Sequence, residues 1–147
     1  MTLSIHNTVD WPFEKIAAYG RDITAAFKKL VDRFPRDITL KSLADDVLSG
    51  RQQLWLILDG EEFKSFVTTE IKINDYTGHK SVHLINLAGE GGQDLVPLIE
   101  EIEKWAIAQG ADEIVPICRI GFRKPLEKLG YRMDVSLYRK TLERDAV

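Results

Sequence analysis

The stretch from Ser81 to Gly110 constrains the fold most, because it reads as a strand, a glycine-rich turn and a helix in immediate succession. Val82-His83-Leu84-Ile85-Asn86-Leu87 is apolar enough for a buried strand, and Ala88-Gly89-Glu90-Gly91-Gly92-Gln93-Asp94 follows it. From there to Gln109, Leu95, Leu98, Ile99, Ile102, Trp105 and Ala106 recur at helical spacing. Proline is tolerated only in the first turn of a helix, so Pro97 places the helix start near Gln93 or Asp94. The first amides of a helix have no partner within it, and the dipole adds partial positive charge there. With glycines at its mouth, such a turn can hold a phosphate or pyrophosphate. The plainer alternative is a helix start where glycine merely permits a tight turn.

The 147 residues, 44% apolar and 29% charged, suit one soluble domain spanning 1–147. A formal charge of −3 disfavours nucleic acid as a general partner. No apolar run is long enough to span a bilayer, and no basic-then-apolar leader is visible. Cys118 is the only cysteine, which excludes an intrachain disulfide framework and fits a reducing, cytoplasmic setting.

Before the turn, Leu3 to Val9 reads as a short strand. Asp10 is a candidate cap for one helix carrying Ile16, Tyr19, Ile23, Phe27, Leu30 and Phe34 on one face, with Pro12 in its first turn. Thr39 caps a second helix through Leu40, Leu43, Ala44, Val47 and Leu48 to Gly50. Gln53 to Leu58 and Phe63 to Ile73 are strands joined by Asp59-Gly60, a dipeptide suited to a hairpin turn. The polar Asn74–Lys80 connection makes the Ser81 strand antiparallel to the one before it.

After the turn, Glu113 to Cys118 is a strand reached by a helical crossover and therefore parallel to the Ser81 strand. Pro116 cannot donate to a ladder, so there this strand lies at an edge or diverges from its neighbour. Arg119 to Leu129 reads as a short helix ended by Gly130, and Tyr131 to Leu142 as a last strand. The expected class is α/β with a mixed sheet, in the order β-α-α-β-β-β-α-β-α-β.

This order, the glycine turn, "Glu127-Lys128-Leu129-Gly130-Tyr131" and "Glu103-Lys104-Trp105-Ala106…Gln109-Gly110-Ala111" together resemble the GNAT superfamily of acetyl-CoA-dependent N-acyltransferases. The resemblance covers nearly the whole chain. It implies parallel strands that splay apart, with the cofactor's pantetheine arm pairing along the exposed edge, a splay that Pro116 suits. It also implies acetyl-CoA as co-substrate, no metal, and a small-molecule or protein amine as acceptor. The backbone of Leu87, Gly89, Gly91, Gly92 and Gln93 is then the candidate cofactor site.

Three departures qualify the resemblance. Asn86 stands where the turn motif has Gln or Arg, and Glu90 puts a carboxylate where a pyrophosphate would sit. Leu126 stands where the family often has a general-acid tyrosine. The Tyr131–Leu142 strand is short for two closing strands, so the acceptor side is expected to be abbreviated or completed by another chain in a homo-oligomer. These departures keep open a GNAT-like binding or assembly module without catalysis, of the kind phages and prophages encode.

Direct attack of an amine on a thioester needs a base and carbonyl polarisation. Glu70, on the strand beside the central one, is the candidate base, directly or through water; a solvated strand residue is the alternative. His83 on the central strand could shuttle a proton or be a hydrogen-bonded core histidine. Arg119 has a cofactor phosphate, an acidic acceptor or plain solvent as open partners. Tyr131 and Tyr138 are substitute hydroxyl donors or core residues, and Cys118 is read as packing. No two histidines have metal-ligand spacing.

Overall fold

A computed structural model of the chain describes residues 2–144. Its strands are β1 (Leu3–Asn7), β2 (Gln53–Asp59), β3 (Glu62–Ile73), β4 (Lys80–Gly89) and β5 (Glu113–Pro116). Its α-helices are α1 (Phe13–Ala17), α2 (Gly20–Arg33), α3 (Leu40–Leu48), α4 (Ile99–Ala108) and α5 (Arg123–Lys128), with 3-10 turns at Gly92–Leu98 and Ile120–Phe122. The strands lie side by side in chain order, antiparallel from β1 to β4 and parallel between β4 and β5. This is the mixed α/β sheet that the sequence implies.

Helices cover both faces, which explains why Gln53–Leu58 is apolar almost throughout. Leu54, Leu56 and Leu58 point to one face and meet Ile23, Phe27 and Leu30 of α2, Leu43 of α3 and Phe66 of β3. Phe27 and Phe66 meet edge to face, 4.8 Å between ring centres. Trp55 and Ile57 point to the other face and join Val67, Val82, Leu95 and Ile102. Thr39 and Ser42 form the reciprocal cap of α3, as its sequence indicates.

Four local expectations need correction. The first helix is broken at Ala18–Tyr19, where Tyr19 leaves helical geometry and its hydroxyl donates to the Glu61 carbonyl at 2.9 Å. Asp10 caps nothing: Thr8 holds the chain against Leu54 and receives the Trp11 amide, leaving Pro12 at the cap position without a side-chain cap bond. The helix after the glycine turn is 3-10 over Gly92–Leu98 and becomes α only at Ile99. Pro97 falls beyond the first turn of a helix begun at Gly92, so an α-helical ladder cannot run through it.

The fourth correction is at the C-terminal end, where residues 129–144 form no strand. The side chains of this segment bond elsewhere: Tyr131 bonds Glu103 at 2.6 Å, Arg139 pairs with Asp37 at 3.0 Å, and Arg36 donates to Thr141 at 2.8 Å. Tyr138 is 91% exposed rather than core.

Candidate active site

Strands β4 and β5 pair from Ser81↔Glu113 to Leu84↔Pro116 and then part. The last rung is the Ile117 amide donating to the Leu84 carbonyl at 3.0 Å. Beyond it, β4 continues through Gly89 with its other edge on β3 and nothing paired on the β5 side. Ile85 is an extra residue here: Thr68 pairs with Asn86 and Thr69 with Leu84, which marks a bulge. The Glu90 amide donates to the Lys64 carbonyl at 2.8 Å, so counting back by twos turns Ala88 and Asn86 toward β3. The amides of Leu87 and Gly89 therefore face the gap. With the Ile117 amide facing Leu84, the Pro116 nitrogen faces the free edge of β5, the last strand of the sheet, where its missing N–H leaves no ladder bond unmade.

The glycine turn that follows divides its glycines between packing and access. Gly89 has φ +133°, and a Cβ there would lie 2.3 Å from the Lys64 carbonyl, so this position is fixed by its close approach to β3. A Cβ on Gly91 would strike Leu95 at 2.7 Å. Gly92, at φ +50°, faces open space. Asp94 donates back to Gly91 at 3.0 Å, and among the described residues the amides of Gly92 and Gln93 have no acceptor. The Gln93 side chain donates to the Gly121 carbonyl at 2.9 Å and ties the turn to the segment after β5. Glu90 and Arg119 are both exposed there, and Arg119 forms no ion pair among the described residues.

Glu70 and His83 are brought together as a directly opposed pair on β3 and β4. Alternation from Phe66 puts them, with Thr68 and Asn86, on the α2 side of the sheet, just before the strands part. Glu70 Oε1 lies 3.4 Å from Gln52 Nε2 and Oε2 lies 3.9 Å from Lys72 Nζ. His83 Nε2 lies 2.9 Å from the buried Ser81 hydroxyl, while Nδ1 is buried without a partner. Burial, and then the Lys72 charge, lower the His83 pKa, so the ring is held neutral. The carboxylate is the more accessible of the two groups, since neither ring nitrogen of His83 is open.

Ser81, Gln52 and Thr68 are polar neighbours that the sequence reading did not single out. The Ser81–His83 spacing of two on one strand was the available signal, since it places both side chains on one face. Asn86 Nδ2 donates to the buried Thr68 hydroxyl at 3.0 Å, which fixes its amide at the mouth of the gap.

The remaining candidates separate. Tyr131 is committed to Glu103, and burial together with that carboxylate pushes its phenol pKa up, so it stays protonated. Cys118 lies beyond β5 and is exposed, which corrects its reading as a strand-end packing residue. Beneath the gap, on the α4 side, is a cavity of about 80 Å³ whose walls include Leu84, Asn86, Leu87, Pro116 and Cys118. Leu126 is part of that wall. Among the described residues no cluster of His, Cys, Asp or Glu could hold a metal, and no helix is long and apolar enough to cross a membrane.

Solved structures similar to this one include acetyltransferases. A Pyrococcus furiosus protein provisionally described as an acetyl transferase superposes with a TM-score of 0.68 at 18% identity, covering 96% of this chain and 100% of that one. Glucosamine-6-phosphate N-acetyltransferase from Arabidopsis thaliana gives 0.60 at 13% identity, over 97% and 100% of the two chains. The aminoglycoside acetyltransferase meta-AAC0020, from an uncultured soil metagenomic sample, gives 0.64 at 12% identity, over 96% and 97%. The chain thus has the GNAT acetyltransferase fold. No protein-family model matches the sequence, and no curated protein matches it.

Proposed function

We propose that the chain is an acyl-CoA-dependent N-acyltransferase, with acetyl-CoA as the family's usual donor and an amine as acceptor. The observation that carries this reading is the unpaired edge of β4 past Leu84, where the Leu87 and Gly89 amides face a gap bounded by Pro116. An extended arm bearing amides can add to such an edge as a strand would. Gly91, Gly92, Gln93 and Arg119 stand where the charged end of the cofactor would follow. The residues fit that group: Gly92 leaves its approach open, and the exposed Arg119 is a cation without an ion-pair partner among the described residues. The similar structures include enzymes named for aminoglycoside and glucosamine-6-phosphate substrates, which supports a small-molecule amine as acceptor.

The cofactor supplies an activated acyl carbonyl. Glu70 takes a proton from the acceptor's ammonium, directly or through one water, on the polar side of the gap. The free amine would then form the N–C bond as the C–S bond breaks, and the nitrogen's surplus proton would pass, directly or through water, to the leaving thiolate. The Asn86 amide is placed to orient the carbonyl from the gap's mouth. His83, neutral beside Glu70, adds no positive charge that would repel an incoming ammonium. Heating the protein with and without CoA tests the reading. A ligand at one hundred times its dissociation constant stabilises by about 2.7 kcal/mol. A rise in Tm of several degrees is expected, and no shift at millimolar CoA contradicts the proposal.

A further inference from the structure

Residues 131–141 connect the two faces of the sheet. At one end the Tyr131 hydroxyl bonds Glu103 of α4 at 2.6 Å, and the Tyr131 amide donates to the Leu126 carbonyl. At the other end Arg139 Nη1 reaches both Asp37 oxygens at 3.0 Å, and Arg36 donates to Thr141 at 2.8 Å. Helix α4 packs on one face of the sheet, and α2 and α3, which Arg36 and Asp37 join, pack on the other. Between the two ends, among the described residues, no backbone–backbone hydrogen bond holds 132–138. Val135, Leu137 and Tyr138 are 80–91% exposed there.

The height of the far end follows from α2. This helix begins with Tyr19 beside Glu61 and runs in the direction of β3, with Phe27 against Phe66. Seven residues past Phe27 the helix has advanced about 10 Å, and four past Phe66 the strand has advanced about 13 Å. The Phe34–Asp37 turn thus stands level with Glu70 and with His83 opposite it. The eight steps from Tyr131 to Arg139 reach at most about 28 Å, so the chain takes the short way round, past the free edge of β5 and across the polar side of the gap.

We infer that residues 132–141 are a strap over the acceptor's side of the gap, fixed at Tyr131 and released at Asp37; that what it admits is an amine rests on the acyltransferase reading above. The two ends differ in strength. The Tyr131–Glu103 bond is part-buried, whereas the Arg139 and Asp37 side chains are 66% and 41% exposed. An ion pair so exposed holds weakly and is screened by salt. The strap therefore opens from its Asp37 end while the sheet stays folded. Lying on a bound acceptor, its apolar side chains would shed water and shield the exchange at Glu70.

Alkylation of a cysteine placed under the strap tests this without any acceptor. In the full chain carrying Glu70→Cys, modification of position 70 by N-ethylmaleimide is timed by peptide mass spectrometry, which counts Cys118 separately. Asp37→Ala and Arg139→Ala should each speed it about two- to fivefold, and the two together no more than either alone. Thr77→Cys, on the exposed β3–β4 connection, should react at one rate in every background. Should Glu70→Cys fail to fold, Lys72→Cys on the same face takes its place. A rate at position 70 that ignores Asp37 and Arg139, in a protein that binds CoA, overturns the strap and leaves the transferase reading standing. A rate that responds in a protein that binds no CoA supports the strap and overturns the transferase reading alone.

Discussion

The two faces of the β3–β4 ribbon, one residue apart along each strand, are built to opposite rules. On the α4 side, Val67, Val82 and Ile102 are buried among aliphatic neighbours, and Trp55 meets Trp105 edge to face at 5.4 Å. On the α2 side at the same level stand Glu70, Lys72, Ser81 and His83, among which His83 Nδ1 and the neighbouring Gln52 Oε1 are buried without partners. Unpaired buried polar atoms cost free energy that packing elsewhere must offset. At this level of the ribbon, aliphatic packing lies on one face and groups able to change their hydrogen bonds on the other. The gap between β4 and β5 joins the two.

This contrast breaks most sharply if substitutions on the two faces have the same effect. Glu70→Gln keeps the shape of the polar side and removes its proposed base, so kcat/KM should fall about 10²–10⁴-fold with Tm nearly unchanged. Ile102→Ala on the opposite face should cost about 2–5 kcal/mol of stability in a denaturant titration, since Ile102 is 1% exposed. A Glu70→Gln variant that unfolds but stays active per folded molecule would reverse the assignment.

The glycine turn sharpens the comparison at the seam. Gly89→Ala forces a side chain into left-handed backbone and against the Lys64 carbonyl, and should cost about 3 kcal/mol or more by chemical denaturation. Gly92→Ala meets open space, so only its φ of +50° is strained and about 1 kcal/mol is expected. Equal losses at the two positions would remove the distinction between a packed glycine and an accessible one.

The smallest effects come from two histidines whose pKa values move in opposite directions. The folded pKa of His83 lies below its ordinary 6.5, so its neutral form is favoured in the fold. Its contribution is present above about pH 6.5 and is lost as pH falls through the folded value. Wild type should therefore lose stability relative to His83→Gln on acidification from pH 7.5 to 5. His79 bonds Glu113 at 2.9 Å on the surface, and that bond raises its pKa. Its contribution is present below 6.5 and lost as pH rises through the folded value, so the Tm deficit of His79→Gln should shrink between pH 6 and 8.5.

What the sequence disclosed follows from how local each cause is. The Asp59-Gly60 hairpin, the Thr39 cap and the sheet order rest on turn chemistry and short connections, which neighbouring residues specify. The edge position of β5 was legible in Pro116, because a missing N–H is a property of one residue. The break before α2 was not, since it depends on Tyr19 reaching the Glu61 carbonyl far along the chain. Residues 131–142 read as a strand, yet strand pairing is a long-range matter, and here this segment pairs with no strand while its side chains bond Asp37, Arg36 and Glu103. At the site, Glu70 and His83 could be put on adjacent strands but not in register. The bulge at Ile85, which turns Leu87 and Gly89 toward the gap, leaves no mark in hydrophobic spacing.

Amide hydrogen exchange, resolved at single residues with and without saturating CoA, tests the open edge most directly. The Leu87 and Gly89 amides should exchange quickly in the free protein and slow at least about tenfold on binding, while Leu84, beside the last rung, is slow in both states. Leu87 and Gly89 already protected without ligand, or unmoved by millimolar CoA, would contradict the account.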